Sequence, residues 1–266
     1  VTIDMNGRII DGVGIGIGIL NRGYDSVTIT NGTIQGFDNG IQLDPSSADN
    51  IISGMTLEMN QVAGILLRDA DDATIRNNSV FSNDLGLALD QGTQSAWVHN
   101  NEFGANTEHA VYVQSSTGNR IEDNLISGST GAGVMVVGSN NNTVIGNTLL
   151  THDGGSVVIE AGIPFVIAAG IPTEVEPPAP PIEPEFGVPS NGNRVEDNAM
   201  EGGGILIVGS NNSQIINNTV QDSEDGIRME GAHNSLILGN DVHGNSSGID
   251  LYGSTGNRIE SNNASE

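Results

Sequence analysis

Three consecutive blocks of 23 residues repeat one pattern: Thr74–Ala96 (TIRNNSVFSNDLGLALDQGTQSA), Trp97–Asn119 (WVHNNEFGANTEHAVYVQSSTGN) and Arg120–Asn142 (RIEDNLISGSTGAGVMVVGSNNN). Asn78, Asn101, Asn124 and Asn147 recur at steps of 23, each three residues after an aliphatic: Ile75, Val98, Ile121 and Val144. A second signal follows in each unit, an aliphatic-x-aliphatic step usually opened by glycine. It reads Gly64-Ile65-Leu66-Leu67, Gly86-Leu87-Ala88-Leu89, Ala110-Val111-Tyr112-Val113 and Gly133-Val134-Met135-Val136. A fixed period of this length is the mark of a solenoid. Alternation within segments of three to five residues makes its elements strands. Each unit is therefore expected to run strand, Asn-containing turn, strand, looser turn, strand.

The same register extends outward in both directions. Val1–Leu20 alternates apolar with polar residues and then glycine with aliphatics, as an entry coil would. One inward column runs Ile29, Ile52, Ile75, Val98, Ile121, Val144, and its partner runs Ile41, Ile65, Leu87, Val111, Val134, Val157. Residues 160–193 break the pattern and hold eight of the nine prolines. Because Arg194-Val195-Glu196-Asp197-Asn198 resumes it unchanged, this is a loop insertion within one domain spanning 1–266. Proline density predicts extended structure at Pro177–Pro184, and the apolar Ile163–Ile171 is expected to pack against something. Three further units follow at steps of 20 to 22, with Asn198, Asn218, Asn240 and Asn262.

A short strand buries little alone, so stability must come from stacked neighbours sharing one core. A buried Asn at one turn position of every coil can bond the same amide above and below. The eight Asn residues are thus expected to form a structural ladder, adopting the left-handed backbone conformation as they turn.

Composition restricts partners. There is no lysine, eight arginines face 33 acids, and formal net charge is −25. A bare polyanion such as nucleic acid would be repelled unless an arginine cluster or metal ions intervened. Such a composition fits a secreted protein or one from a saline habitat, and a start at Val1 reads as a processed chain, giving a secreted or cell-surface expectation. Cysteine is absent, and no apolar run is long enough to span a membrane.

Units such as NNTVIGNTL (Asn141–Leu149) and SGIDLYGSTGNRIESN (Ser247–Asn262) resemble the right-handed parallel β-helix family of pectate-lyase-like proteins. The resemblance is closest to the repeats of NosD-like and carbohydrate-binding or sugar-hydrolase domains. It implies an all-β, right-handed parallel β-helix of about ten coils of 20–23 residues, with polysaccharide sites along the outer face of the sheet built from the glycine-led strands. Alternation then points Gln42 and Asp44, Leu66 and Arg68, Ala88 and Asp90, Tyr112 and Gln114 outward. Farther along, Met135, Val137, Val158, Leu206 and Val208 make an apolar stripe beside the insertion. Either the insertion's Ile163-Pro164-Phe165-Val166-Ile167 covers this stripe, or the two form a partner interface.

Asp44, Arg68 and Asp90 share one outward column on successive coils. Two coil spacings of about 4.8 Å put the carboxylates roughly 9 to 10 Å apart, at the upper end of inverting glycoside hydrolysis. Arg68 could hold a uronate carboxylate, Tyr112 could serve as sugar platform or proton donor, and Gln42 and Gln114 could bind hydroxyls. The structural alternative is a solvated Asp–Arg–Asp ladder worth at most about 1 kcal/mol per pair. Family motifs are incomplete. Asp44-Pro45 is followed by Ser46, where alginate epimerases carry histidine. Of the polygalacturonase set only Asp71-Asp72 is present, and Arg68 alone supplies the central base that pectate lyases use.

Asp25, Asp49, Asp69, Asp71 and Asp72 crowd the looser turns, and Asp49 stacks on Asp72, so this pair could raise one carboxyl's pKa or recruit Ca²⁺; with no Asp-x-Asp-x-Asp-Gly loop beside them, the alternative is solvated turn acids. On the second sheet, Arg76, His99 and Glu122 form a column beside Trp97 and Arg120, read as ion pairs with an Arg120–Trp97 stacking contact. His99 has no second histidine at metal-ligand spacing, which leaves copper or zinc a minor alternative there. Two functional classes result. One is a polysaccharide- or glycan-interacting protein, with lyase, epimerase or hydrolase chemistry at Asp44, Arg68, Asp90 and Tyr112. The other is a non-catalytic structural or adhesive module that self-associates through its uncapped ends or its apolar stripe.

Overall fold

A computed structural model describes residues 1–162 and 188–265. The described chain is strands and turns throughout, and no helix is long and apolar enough to cross a membrane. Ten strands build the first sheet, beginning Ile17–Arg22, Asn39–Asp44, Ala63–Arg68, Leu85–Asp90 and ending Asp225–Glu230, Ser247–Tyr252. Neighbours are parallel in the register that the repeat demands: Ile41 opposite Ile65, Ile65 opposite Leu87, Leu87 opposite Val111. The second sheet stacks Ile29, Ile52, Ile75, Val98, Ile121 and Val144. The third stacks Leu57, Val80, Phe103, Ile126 and Leu149. Strands Thr2–Asp11, Thr28–Gln35 and Ile51–Glu58 run through the corner between these two sheets, so both belong to one array of 19 strands.

The core is the stack's axis. Ile29, Ile52, Ile75, Val98 and Ile121 are fully or almost fully buried, as are their first- and third-sheet counterparts. Stacking continues across the insertion: Val144 pairs with Val195 and Val157 with Ile205. The insertion's two ends meet in an antiparallel bridge, with Gly162 N–H donating to Val188 O at 2.9 Å and Val188 N–H returning at 2.7 Å. A Cβ on Gly162 would lie 2.3 Å from Val137 Cγ1, so the bridge packs directly on the apolar stripe and only glycine fits there. The expectations for Ile163–Ile171, including the cover by Ile163–Ile167, and for Pro177–Pro184 fall outside the described residues.

The Asn ladder is continuous. Asn78 Nδ2 donates to Asn101 Oδ1 at 2.9 Å and to Ile52 O at 3.0 Å, and its own N–H donates to the same Oδ1 at 3.0 Å. Asn101, Asn124, Asn147, Asn198, Asn218, Asn240 and Asn262 extend it. One expectation is corrected. The left-handed residue is the ladder residue's predecessor: Asn77, Asn100 and Asp123 have φ of 55°, 54° and 51°. Turning the chain there lets the next side chain point inward, where its amide meets the coils on either side.

Three more corners use the same device, and the repeat pattern does not single them out. Asn60, Asn83 and Asn106 form a second ladder after left-handed Met59, Ser82 and Ala105. Hydroxyls of Thr93, Ser139, Ser190 and Ser254 receive backbone N–H groups at a third. Asn50, Asn119, Asn142 and Asn193 serve the fourth. His152 stands in the second ladder's column as a substitute amide. Its Nδ1 accepts from Ser129 N–H at 3.3 Å and its Nε2 reaches Ile126 O at 3.3 Å, copying Asn106, whose Nδ2 donates to Val80 O. Burial pushes its pKa from 6.5 down to about 4.

Replacing Asn124 by Ala strands the Asn101 amide donors and Val98 O; a loss of about 3 kcal/mol is expected in denaturant unfolding, at a cost of about 1–3 kcal/mol per buried orphan. His152 gives a pH signature. The native state resists protonation that the unfolded state accepts below 6.5, so stability falls as pH drops from 6.5 toward 4 and then levels. The stability difference between wild type and His152→Asn should therefore shift against wild type by about 3 kcal/mol across that window. A pH-independent difference would mean that the imidazole is not held neutral.

Candidate functional site

On the first sheet's outer face, the strands ending at residues 44, 68, 90 and 114 align the predicted column. Arg68 lies opposite Asp90, and Ala88 opposite Tyr112. Arg22, which the repeat reading passed over, precedes Asp44 in register, so the column runs Arg22, Asp44, Arg68, Asp90, Gln114. Alternation alone could have found it. The column does not behave as a solvated charge ladder. Arg68 makes no ion pair among the described residues, and its Nε is buried without a hydrogen bond. Asp90 and Gln114 are each only 1% exposed, and the outward Leu66 and Ala88 are fully buried.

Hydrogen bonding divides the site. Asn39 Nδ2 donates to Gln42 Oε1 at 3.1 Å, and Gln42 Nε2 to Asp44 Oδ1 at 2.6 Å, so Gln42 orients the half-buried Asp44. Asp90 Oδ1 accepts the N–H of Gln91 at 2.7 Å. Gln114 differs: both Oε1 and Nε2 are buried with no partner among the described residues. Orphaning a buried amide costs about 1–3 kcal/mol per group. The half-buried Tyr112 stacks on His109, with ring centroids 5.6 Å apart and 8° between planes. Burial first, then the charges of Asp90, Glu108 and Glu160, pushes the Tyr112 phenol up to about 12, so it remains a proton donor at neutral pH. His109 is held below its usual range by burial, and its Nδ1 accepts Ala132 N–H at 2.9 Å.

The other predicted groups sort differently. Asp49 and Asp72 are left-handed corner residues, φ 54° and 52°, directly before the inward Asn50 and Ala73. Asp tolerates that conformation, which is a scaffold reason for acids at this spot. Asp71 and Asp25 accept the N–H groups of Gln94 and Ala48. Among the described residues no group of three His, Cys, Asp or Glu converges to hold an ion. On the second sheet, Trp97 stacks on His99 at 3.9 Å instead of on Arg120, which binds Glu122 through Nε at 2.8 Å and Nη2 at 2.6 Å. Along the stripe, Val137 and Val158 are buried and Met135, Leu206 and Val208 half-buried. A cleft of about 300 Å³ lies away from the column, lined by His152, Gly154, Gly203, Ser223, Asp225 and Arg228. Its cation is already neutralised by Asp225 and Glu230.

The family described as "Periplasmic copper-binding protein (NosD)" matches residues 1–164 and 186–266. No curated protein matches the sequence significantly. Among solved structures, the A-module of mannuronan C-5 epimerase AlgE4 from Azotobacter vinelandii superposes with TM-score 0.64 at 15% identity, covering 97% of this chain and 78% of that one. The catalytic unit of a GH87 α-1,3-glucanase from Streptomyces thermodiastaticus gives 0.67 at 12%, covering 91% and 50%. A mutant of the periplasmic alginate epimerase AlgG gives 0.52 at 16%, covering 88% and 50%. The chain thus spans half the length of the last two, and at these identities the likeness is one of fold.

The family description names copper, and this chain's donors do not fit it. Cysteine is absent. Met5, Met55, Met200 and Met229 are core residues, and the exposed Met59 and half-buried Met135 lie on different coils. His99, His109, His152, His233 and His243 sit on separate coils or faces, each with a ring nitrogen bonded to protein.

The orphaned amide makes a stability test. Gln114→Leu keeps the volume and removes two unsatisfied polar atoms, so unfolding free energy should stay level or rise by about 1 kcal/mol. A loss of several kcal/mol in chemical denaturation would show that the amide is bonded in solution.

Proposed function

The chain belongs to the NosD family, and on that premise we propose that it is an extracytoplasmic protein that takes a uronate-containing polysaccharide along the outer face of its first sheet. The observation carrying this reading is unused hydrogen-bonding capacity along one column: the Gln114 amide and the Arg68 Nε, two coils apart with Asp90 between them, are buried without hydrogen-bond partners among the described residues. A sugar hydroxyl and a uronate carboxylate would satisfy both, the latter through a charge-assisted contact. Polysaccharide epimerases and a glucanase share the fold, and the family is described as periplasmic, which supports the ligand class and the location.

Within that reading each residue has a role. Arg68 neutralises the uronate carboxylate, which favours proton removal from the adjacent carbon. Asp44, oriented by Gln42, is the base, Tyr112 the proton donor, and Asp90 and Gln114 hold hydroxyls. Proton-transfer chemistry, that of a lyase or epimerase, suits the column better than hydrolysis. Arg68 occupies the register position between the two carboxylates, where an inverting hydrolase needs room for water. The burial of Asp90 and Gln114 favours a second reading, a non-catalytic module that holds glycan or stacks end to end.

The test is incubation with polymannuronate, polygalacturonate and a neutral α-glucan, following binding, unsaturated-product absorbance, C5 epimer ratio and reducing ends. Turnover of a uronate polymer that falls about a hundredfold in Arg68→Gln and in Tyr112→Phe is expected. Binding without turnover, unaffected by Tyr112→Phe, selects the non-catalytic module. Failure to bind any of the three polymers sinks both.

A further inference from the structure

Trp97 is the only tryptophan of the chain, and it stands at mid-solenoid on the second sheet, away from the column just described. Its side chain points outward and is 44% exposed. An exposed indole normally samples several rotamers, yet here two contacts fix it, one of them itself clamped. One ring face stacks on His99, centroids 3.9 Å apart with 22° between planes. Nε1 donates to Glu122 Oε2 at 2.8 Å. Glu122 is in turn clamped by the Arg120 guanidinium at 2.6 and 2.8 Å, a pairing that holds its carboxyl down to about 2. With 44% of the residue exposed, part of the indole stays open to solvent while its position is held. That open part is apolar ring already fixed in place, so a ligand would find little rotamer entropy left to remove.

The neighbours define what it would take. In register, Thr74 and Arg120 flank Trp97, while Arg76 and Glu122 flank His99. Arg120 is committed to Glu122, but Arg76 makes no ion pair among the described residues. A rigid aromatic face next to hydrogen-bonding side chains suits a pyranose ring, whose axial C–H groups form an apolar patch bordered by hydroxyls. A free guanidinium one coil away suits a carboxylate on the same polymer. In a chain of net charge −25, such a local cation is what would let an acidic polymer approach.

We propose that Trp97 is the platform of a second carbohydrate contact, on the second sheet, which stacks a pyranose ring of a uronate polysaccharide while Arg76 takes a carboxylate of the same polymer. The inference rests on the polysaccharide reading above but not on the first-sheet column, which occupies a different face. It gives the solenoid two lines of contact to one polymer, so that each raises the effective concentration of the other.

Because the chain has a single indole, intrinsic fluorescence reports this site alone. Titrating the whole protein with oligomannuronate should shift or quench the emission saturably, in step with the heat measured by calorimetry. Trp97→Ala should weaken binding of that oligomer about tenfold, and Arg76→Gln should weaken it while leaving any binding of a neutral gluco-oligosaccharide unchanged. The Gln114→Leu protein, altered only on the first sheet, should reach the same emission change at saturation but at a higher oligomer concentration. Far-ultraviolet circular dichroism of the Trp97→Ala protein controls for folding. Heat of binding without an emission change, and with unchanged affinity in Trp97→Ala, overturns the second contact while leaving the first-sheet reading standing. Neither heat nor emission change with any oligosaccharide overturns both.

Discussion

The structure depends on one hydrogen-bonding arrangement: a buried side-chain acceptor at a coil corner that receives two N–H groups from the coil before it, as Asn101 receives those of Asn78. A corner must turn the chain and leave backbone groups pointing into the core, where orphans are costly. A left-handed residue makes the turn and the inward amide satisfies the groups. Since every ladder amide needs its counterpart on the next coil, the corner chemistry and the parallel stacking are one cooperative object. The protein could therefore accept an insertion after Gly162 without losing register, because Val144 and Val195 meet as if nothing intervened.

This arrangement also explains features that look functional in the sequence. Asp49, Asp72, Asp123, Asp197 and Asp222 are left-handed corner residues. Their carboxylates are by-products of a backbone requirement that Asn, Asp and Gly meet with least strain. His152 is the clearest case. A histidine beside a glycine-rich cleft invites a catalytic reading, yet its nitrogens do the work of an Asn amide. Once corner residues are set aside, unexplained polarity concentrates at Arg68 and Gln114 on one face and around Trp97 and Arg76 on another.

The fold was legible because a period of 23 leaves few architectures, and alternation then assigned inside and outside. That reasoning placed Asp44, Arg68, Asp90 and Tyr112 on one outer face. It found one ladder of four because only the second-sheet corner keeps Asn on nearly every coil. The others mix Asn with Ser, Thr, Ala and His, which are equivalent as small or bonding groups but not as letters. It also misplaced the left-handed residue by one position and paired Trp97 with Arg120, since spacing gives register but not the lean of a side chain along its strand.

What the sequence determined by itself was therefore the solenoid, its register and the inward columns, all consequences of periodicity. What only the tertiary structure decided was the state of each outward group. That Gln114 is buried with its amide unbonded among the described residues, that Arg68 pairs with neither neighbour's charge and that His99 and Glu122 lock Trp97 depends on how side chains of one coil and the next come together. Repeats specify which positions meet, whereas burial and hydrogen-bond partnership depend on the shapes that meet there.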